Sequence, residues 1–283
     1  MAIQEQRLEH PAETAGPPTG VGWRGAGAMT QLGILTARQI QSMYGDRRLA
    51  LFSLVQPIIM LLLLSEVFGT MADPSDFPHG VRYIDYVVPA LLVTTGIGSA
   101  QGAGVGLVRD MDNGMVARFR VLPTRLPLVL AARSLADLVR VTTELAVLLV
   151  VACVMLDFRP AGGVLGTAAA LLLTLVVIWA LIWGFIAFAA WLRSVELMSS
   201  IAVLVMFPLM FASSAFVPLN VLPEWLRMVA RLNPITYAVD GSRKLALGWD
   251  PGWSVPGALA TSAVLLVVAV CVAVRTFRRP PNE

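Results

Sequence analysis

The apolar residues of this chain fall into about six long runs, each near the length needed to cross a lipid bilayer, separated by short polar connections. No other feature restricts the fold as strongly. Within a bilayer every backbone N–H and C=O must be satisfied inside the protein, so runs of this length resolve into helices. The expected fold class is an all-α membrane protein with six transmembrane helices. Composition agrees: 57% of the 283 residues are hydrophobic, 14% are charged, and mean hydropathy is +0.75. A soluble domain of this size has no use for so much apolar surface.

Residues 1–28 are polar, then rich in Pro, Gly and Ala, and are expected to be a disordered cytoplasmic tail. The membrane domain occupies residues 29–279. Its first segment, 29–48, sets Leu32, Leu35, Ile40 and Met43 among Gln31, Arg38, Gln39 and Gln41. That spacing predicts an amphipathic helix at the membrane interface, the alternative being a plain polar lead-in. Spans are expected at about 49–69, 84–108, 138–156, 164–190, 197–217 and 255–274. Pro57 can kink the first, and Glu66 lies near its outer end.

The cations sort by loop. Arg24, Arg38, Arg47, Arg48, Arg109, Arg118, Arg120, Arg125, Arg133, Arg193, Arg275, Arg278 and Arg279 fall on one side. Arg82, Arg159, Arg227, Arg231, Arg243 and the only lysine, Lys244, fall on the other. The richer side is expected to be cytoplasmic, which puts both termini inside and requires an even number of spans. A net charge of +3 spread this way orients helices and does not build a nucleic-acid face.

Most catalytic chemistries lack their residues. Cys153 and Cys271 sit in apolar runs and read as packing residues, and His10 and His79 are far apart, so no metal-ligand spacing exists. There is no G-x-x-x-x-G-K-[ST] loop, no H-E-x-x-H and no Ser/His/Asp set, so the chain has no visible means of hydrolysing a nucleotide and calls for no cofactor of its own.

Five features remain. Gly98, Gly102 and Gly106 recur four apart, a stripe that lets another helix approach closely. In the inner loop 109–126, Met115, Phe119 and Leu122 form one apolar stripe among Asp110, Arg118 and Arg120 before Pro123 ends it. Such a helix suits a groove on a soluble partner or a bed of lipid headgroups. In the outer segment 207–245, a helix with Pro223 in its first turn, followed by Glu224 and Trp225, is stopped by Asn233-Pro234. It is too short to span, so it either dips into the membrane and returns or forms a structured loop. Finally, Asp137, Arg140 and Glu144 stand at helical pair spacing. They read better as a mutually paired cluster that orients the helix than as a substrate or gating contact. Met206, Phe207, Met210, Phe211 and Phe216 in the fifth span likewise read better as packing or lipid-facing residues than as a cavity lining.

Two blocks carry a resemblance. The first is Asp110 through Gly114, Arg118, Arg120, Leu122 and Pro123, with Arg133, Asp137 and Arg140. The second is Pro218, Leu219, Pro223, Trp225, the run Asn233-Pro234-Ile235-Thr236-Tyr237, Asp240 and Arg243. Over roughly residues 30–279 the chain resembles the type-2 ATP-binding-cassette permeases, especially the daunorubicin-resistance-type exporters of actinobacteria. The run ending in Leu122-Pro123 also resembles the coupling loop of importer permeases, but its glycine spacing is shorter and the alanine pair is absent, so importer contacts are not carried over.

The resemblance implies an N-terminal interface helix, six spans, a cytoplasmic coupling helix and a short re-entrant outer helical hairpin before the last span. Asp110, Gly114, Met115, Arg118, Phe119, Arg120, Leu122 and Pro123 would couple to an ATPase. Gly98, Gly102 and Gly106 would line a packing or translocation interface. Pro223, Trp225, Asn233, Pro234 and Tyr237 would form the re-entrant segment. The implied partners are two copies of a cytoplasmic ATPase carrying MgATP, a second or homologous permease, membrane lipid, and a hydrophobic drug-like or lipid cargo exported across the bacterial plasma membrane. An ion-gradient-driven efflux transporter is the competing reading, and it asks for buried mid-membrane carboxylates and internal repeats. An intramembrane transferase would need clustered acids or histidines at one face.

Overall fold

The computed structural model describes residues 27–44, 47–69, 81–114, 126–215 and 223–278. Among these, the regular structure is entirely helical. The elements are α1 (Ala28–Tyr44), α2 (Arg47–Gly69), α3 (Tyr83–Asp112), α4 (Leu126–Met155), α5 (Gly163–Leu192), α6 (Val195–Phe211), α7 (Glu224–Leu232), α8 (Pro234–Ala246) and α9 (Ser254–Arg278). The expected tail at 1–28 lies outside the described residues except for its last two, and Ala28 already belongs to α1.

Four of these helices are long and apolar enough to cross a membrane: α3, α4 from Pro127, α5, and α9 to Phe277. The helices α2 and α6 are apolar over the shorter stretches Leu54–Val67 and Val195–Pro208. The fifth expected span therefore stops early, at Phe211 instead of 217. Local chemistry explains the stop. Ser213 donates to the carbonyl of Met210 at 2.6 Å and accepts the N–H of Ala215 at 3.2 Å, so hydroxyl-to-backbone bonds replace the next helical turn. The third expected span is instead longer than 138–156, because its polar lead-in from Leu126 is continuous with it.

The helix α5 is the hub, packing against α3, α4, α6, α8 and α9. Its core side chains Ile178, Ile182 and Ile186 are fully buried. Lipid tails are as apolar as leucine, so such helices associate through close contact at small residues. A Cβ on Gly162 or Gly166 would collide with the carbonyl oxygen of Leu245, which is how the start of α5 meets the end of α8. Gly257 of α9 gives the same closeness to Tyr237 of α8, whose Cδ1 would stand 2.9 Å from a Cβ there. The helix α1 lays a half-buried stripe that includes Leu32, Leu35 and Ile40 against α4. The two ends of the bundle keep the loop groupings apart: Arg82 donates to the carbonyl of Asp157 at 2.9 Å at one end, and Asp110 pairs with Arg133 at the other.

Candidate functional site

The helices α3 and α4 lead into and out of the loop expected to meet a partner. Asn113 and Gly114 end α3: the Asn113 N–H returns to Arg109 and the Gly114 N–H to Met111, both at 3.0 Å. Gly114 takes φ +70°, a conformation that glycine adopts without a Cβ clash, so it turns the chain sharply out of the helix. Met115, Arg118, Phe119, Arg120, Leu122 and Pro123 lie outside the described residues.

Above that loop a charged staple joins the two helices. Arg133 pairs with Asp110 and reaches the carbonyl of Ala103 at 3.5 Å. Arg140 donates to the carbonyl of Ser99 at 2.9 Å and to Glu144 at 3.1 Å, and the Ser99 hydroxyl donates to the other oxygen of Glu144. Asp137 stands between the arginines, 3.8 Å from Arg133 and 3.7 Å from Arg140, and is only 2% exposed. These are ion-pair distances, too long for hydrogen bonds. The staple follows about 16 Å of α3, from Ser99 to Asp110. Breaking a buried pair by removing one partner is costly, so the staple holds α3 and α4 together as one hairpin. It also gives Asp110 a partner inside the chain. The paired-cluster reading of Asp137, Arg140 and Glu144 matches this geometry, while Ser99 had no sequence signal beyond its place four residues from Ala103.

The glycine stripe sits beside the staple. Nothing lies within 4 Å of a Cβ built on Gly98, whereas Gly102 and Gly106 face the guanidiniums of Arg140 and Arg133. Among the described residues no helix packs backbone-close on them. The small residues of α3 that pack inward are Gly96, Ala100, Ala103 and Gly104, against residues that include Ile178, Phe185 and Met198. Gly96, Ala100 and Gly104 each stand two residues, about 200° of rotation, from a member of the Gly98, Gly102 and Gly106 stripe, so this side of α3 packs within the chain nearly opposite that stripe.

At the other end α7 and α8 fill the interval before α9. With 9 and 13 residues, both are too short to span. Pro223 holds the position before α7, φ −52° and ψ 149°, one step earlier than the first-turn place expected of it. Asn233 both ends α7 and caps α8: its side chain accepts the Ile235 N–H at 3.0 Å and donates to the Ala212 carbonyl at 2.7 Å. Pro234 follows at the first helical position, where its missing N–H costs nothing. Tyr237 seats against α9, whereas Trp225 on α7 is exposed.

The organising residue here is Arg243, only 2% exposed. It donates to the carbonyls of Tyr86 at 2.8 Å, Ser214 at 2.9 Å and Ala215 at 3.1 Å, and to Asp240 at 3.0 Å. Its guanidinium lies 3.6 Å from the centroid of the Tyr86 ring. Asp240 also accepts from Ser214 at 2.5 Å. One side chain thus ties α3, the end of α6 and α8 together. The sequence placed Arg243 among outer-side cations. Its burial had one signal, Asp240 three residues earlier, which fits a helical ion pair. Nearby, Asp85 holds the Arg82 guanidinium charged by a hydrogen bond at 2.8 Å, raising its pKa above the ordinary value.

The ABC-2 type transporter profile matches residues 30–247, most of the chain. The chain belongs to this family. Relatives share its length as well as its pattern. The daunorubicin resistance ABC transporter permease protein DrrB1 of Streptomyces coeruleorubidus is 30% identical over 79% of this chain and 77% of its own. The probable doxorubicin resistance permease DrrC of Mycobacterium tuberculosis is 27% identical over 80% of each chain. A putative transport permease, ycf38, of Pyropia yezoensis is 24% identical over 70% of this chain and 68% of its own. The chain is therefore an ABC transporter permease of the drug-resistance type, and a membrane protein. Among the described residues no cluster could hold a metal ion.

Proposed function

We propose that this permease is the membrane half of an ATP-driven exporter that moves a hydrophobic, drug-like natural product or a lipid out across the bacterial plasma membrane. The observation that carries the reading is the match to drug-resistance permeases over 79–80% of a chain that has no nucleotide-binding loop. Two copies of a cytoplasmic ATPase would close on MgATP and press the segment 115–123. The stapled α3–α4 hairpin would carry that push as one body. Two permease subunits would then exchange two packings, facing in and facing out. Gly98, with open space around it, is available to a second copy. The arginine distribution supports six spans with both termini in the cytoplasm.

The gradient-driven alternative needs a carboxylate free to take up and release an ion. Glu144 is buried but accepts from Arg140 and Ser99, which suits a fixed joint better than a carrier; Asp137, buried between two arginines with one oxygen outside any hydrogen bond, is the carboxylate the alternative would use. The test is to substitute Met115→Glu and Phe119→Glu together and co-purify with a co-expressed cytoplasmic ABC ATPase that wild type retains. Recovery should collapse, and daunorubicin export from loaded cells should collapse with it. Full recovery of the ATPase would overturn the docking claim. Export that survives ATP depletion but stops with a protonophore would favour the alternative.

A further inference from the structure

A cleft of about 260 Å³ runs along the outer wall of the bundle between α5 and α9. Gly184, Phe188 and Trp191 form one bank; Leu265, Val268 and Val272 form the other. The two helices run in the same direction: Gly184 faces Leu265, and the later residues of both helices, Trp191 and Val272, line the same cleft. Phe188, Trp191, Val268 and Val272 are all exposed, so the cleft opens outward, away from the bundle core.

Its size and chemistry narrow the occupant. Sites for drug-sized molecules are roughly 300–1,000 Å³ and carry a few polar groups that fix orientation. This cleft is smaller, and none of the side chains that line it is polar. A hydrocarbon chain needs no orienting group. The end of the cleft supplies what the walls lack. Along α9 the residues 268, 272 and 275 continue one face, which brings Arg275 one turn beyond Val272. Arg193 follows the last residue of α5, two residues past Trp191, in a left-handed conformation with φ 49°, its Nε donating to the Ala190 carbonyl at 3.4 Å. Both arginines are exposed, and neither forms an ion pair among the described residues. The nearby carboxylate of Glu196 accepts a hydrogen bond from Ser194. A tryptophan at the same level is the usual mark of the headgroup zone.

We propose that this cleft binds one anionic phospholipid of the cytoplasmic leaflet, an acyl chain lying between α5 and α9 and the phosphate held by Arg275 and Arg193. The inference rests on the membrane orientation proposed above and on nothing about ATP or cargo. Charge complementarity selects the occupant: an apolar channel ending in two exposed guanidiniums without carboxylate partners among the described residues matches a hydrocarbon tail with an anionic head. The lipid would cover apolar surface on the hub helix and fix its depth.

The test is native mass spectrometry of the full-length chain, titrated with dioleoylphosphatidylglycerol or dioleoylphosphatidylcholine. Wild type should bind the first phosphatidylglycerol more tightly than Arg275→Gln by roughly fivefold, with phosphatidylcholine unchanged. Val268→Trp, at an exposed position in the cleft, should weaken both lipids. Arg159→Gln, an exposed arginine at the opposite end, should weaken neither. The proposal is overturned if Arg275→Gln keeps the wild-type preference, if Arg159→Gln loses it equally, or if Val268→Trp binds both lipids as before. It is also overturned if Val268→Trp turns a dimer into a monomer, which would make the cleft a seat for a second copy.

Discussion

Replacing Arg243 tests whether the outer end of the bundle is held by one forked cation. The guanidinium makes four hydrogen bonds and lies against the Tyr86 ring, while its side chain is only 3% exposed. Hydrogen bonds between helices in a bilayer average about 0.6 kcal/mol, so the three that leave α8, to Tyr86, Ser214 and Ala215, give about 1.8 kcal/mol. Truncation to methionine adds a penalty, because the carbonyls of Tyr86, Ser214 and Ala215 lose a common donor inside the protein. Asp240 is 26% exposed and can reach water, which limits its share. Removing one partner of a buried ion pair usually costs about 3–5 kcal/mol, and Arg243→Met should fall near the lower end of that range. Arg243→Lys separates charge from geometry. Lysine restores the ion pair but cannot fork to three carbonyls, so it should recover less than half the loss. The assay is equilibrium unfolding of the purified chain in mixed micelles, followed by tryptophan fluorescence. If lysine matches arginine, or if methionine costs less than about 1 kcal/mol, the forked-lock argument is wrong.

Glu144→Ala should destabilise the chain by about 1.5–3 kcal/mol, the cost of charged hydrogen bonds lost to Arg140 and Ser99. If the staple carries motion, the same variant should leave ATPase binding intact while export falls; unchanged export would refute that role. Gly166→Ala should cost about 1–3 kcal/mol because a rigid carbonyl, that of Leu245, occupies the place of the new methyl. Gly98→Ala meets nothing within 4 Å and should leave monomer stability equal or slightly raised; a loss comparable to that of Gly166→Ala, in the same unfolding assay, would contradict this contrast.

How much was legible can be judged residue by residue. The apolar runs located α2 through α6 and α9, because hydrocarbon thickness sets a length that composition alone can display. Asn233-Pro234 was legible as the stop of α7, since the residue before a proline resists the helical conformation; that Asn233 also caps α8 only the structure shows. The end of α6 was not legible. Ser213 and Ser214 look compatible with a continued span until their hydroxyls are seen bonded to backbone and to Asp240.

What the chain's letters determine by themselves is its class, a helical membrane protein, because length, hydropathy and charge asymmetry are local properties; that it is a permease rests on the likeness of its two motif blocks to a family. Which face of each helix turns inward is not local. A small residue every fourth position marks a stripe on α3, yet Gly96 and Gly104 pack while Gly98 stays open, and the difference lies in where Ile178 and Met198 arrive. The same holds for Arg243, whose four acceptors come from three separate segments. Only the assembled bundle brings distant carbonyls to one guanidinium, and only there does a surface-like arginine become the bolt that joins α3, α8 and the end of α6.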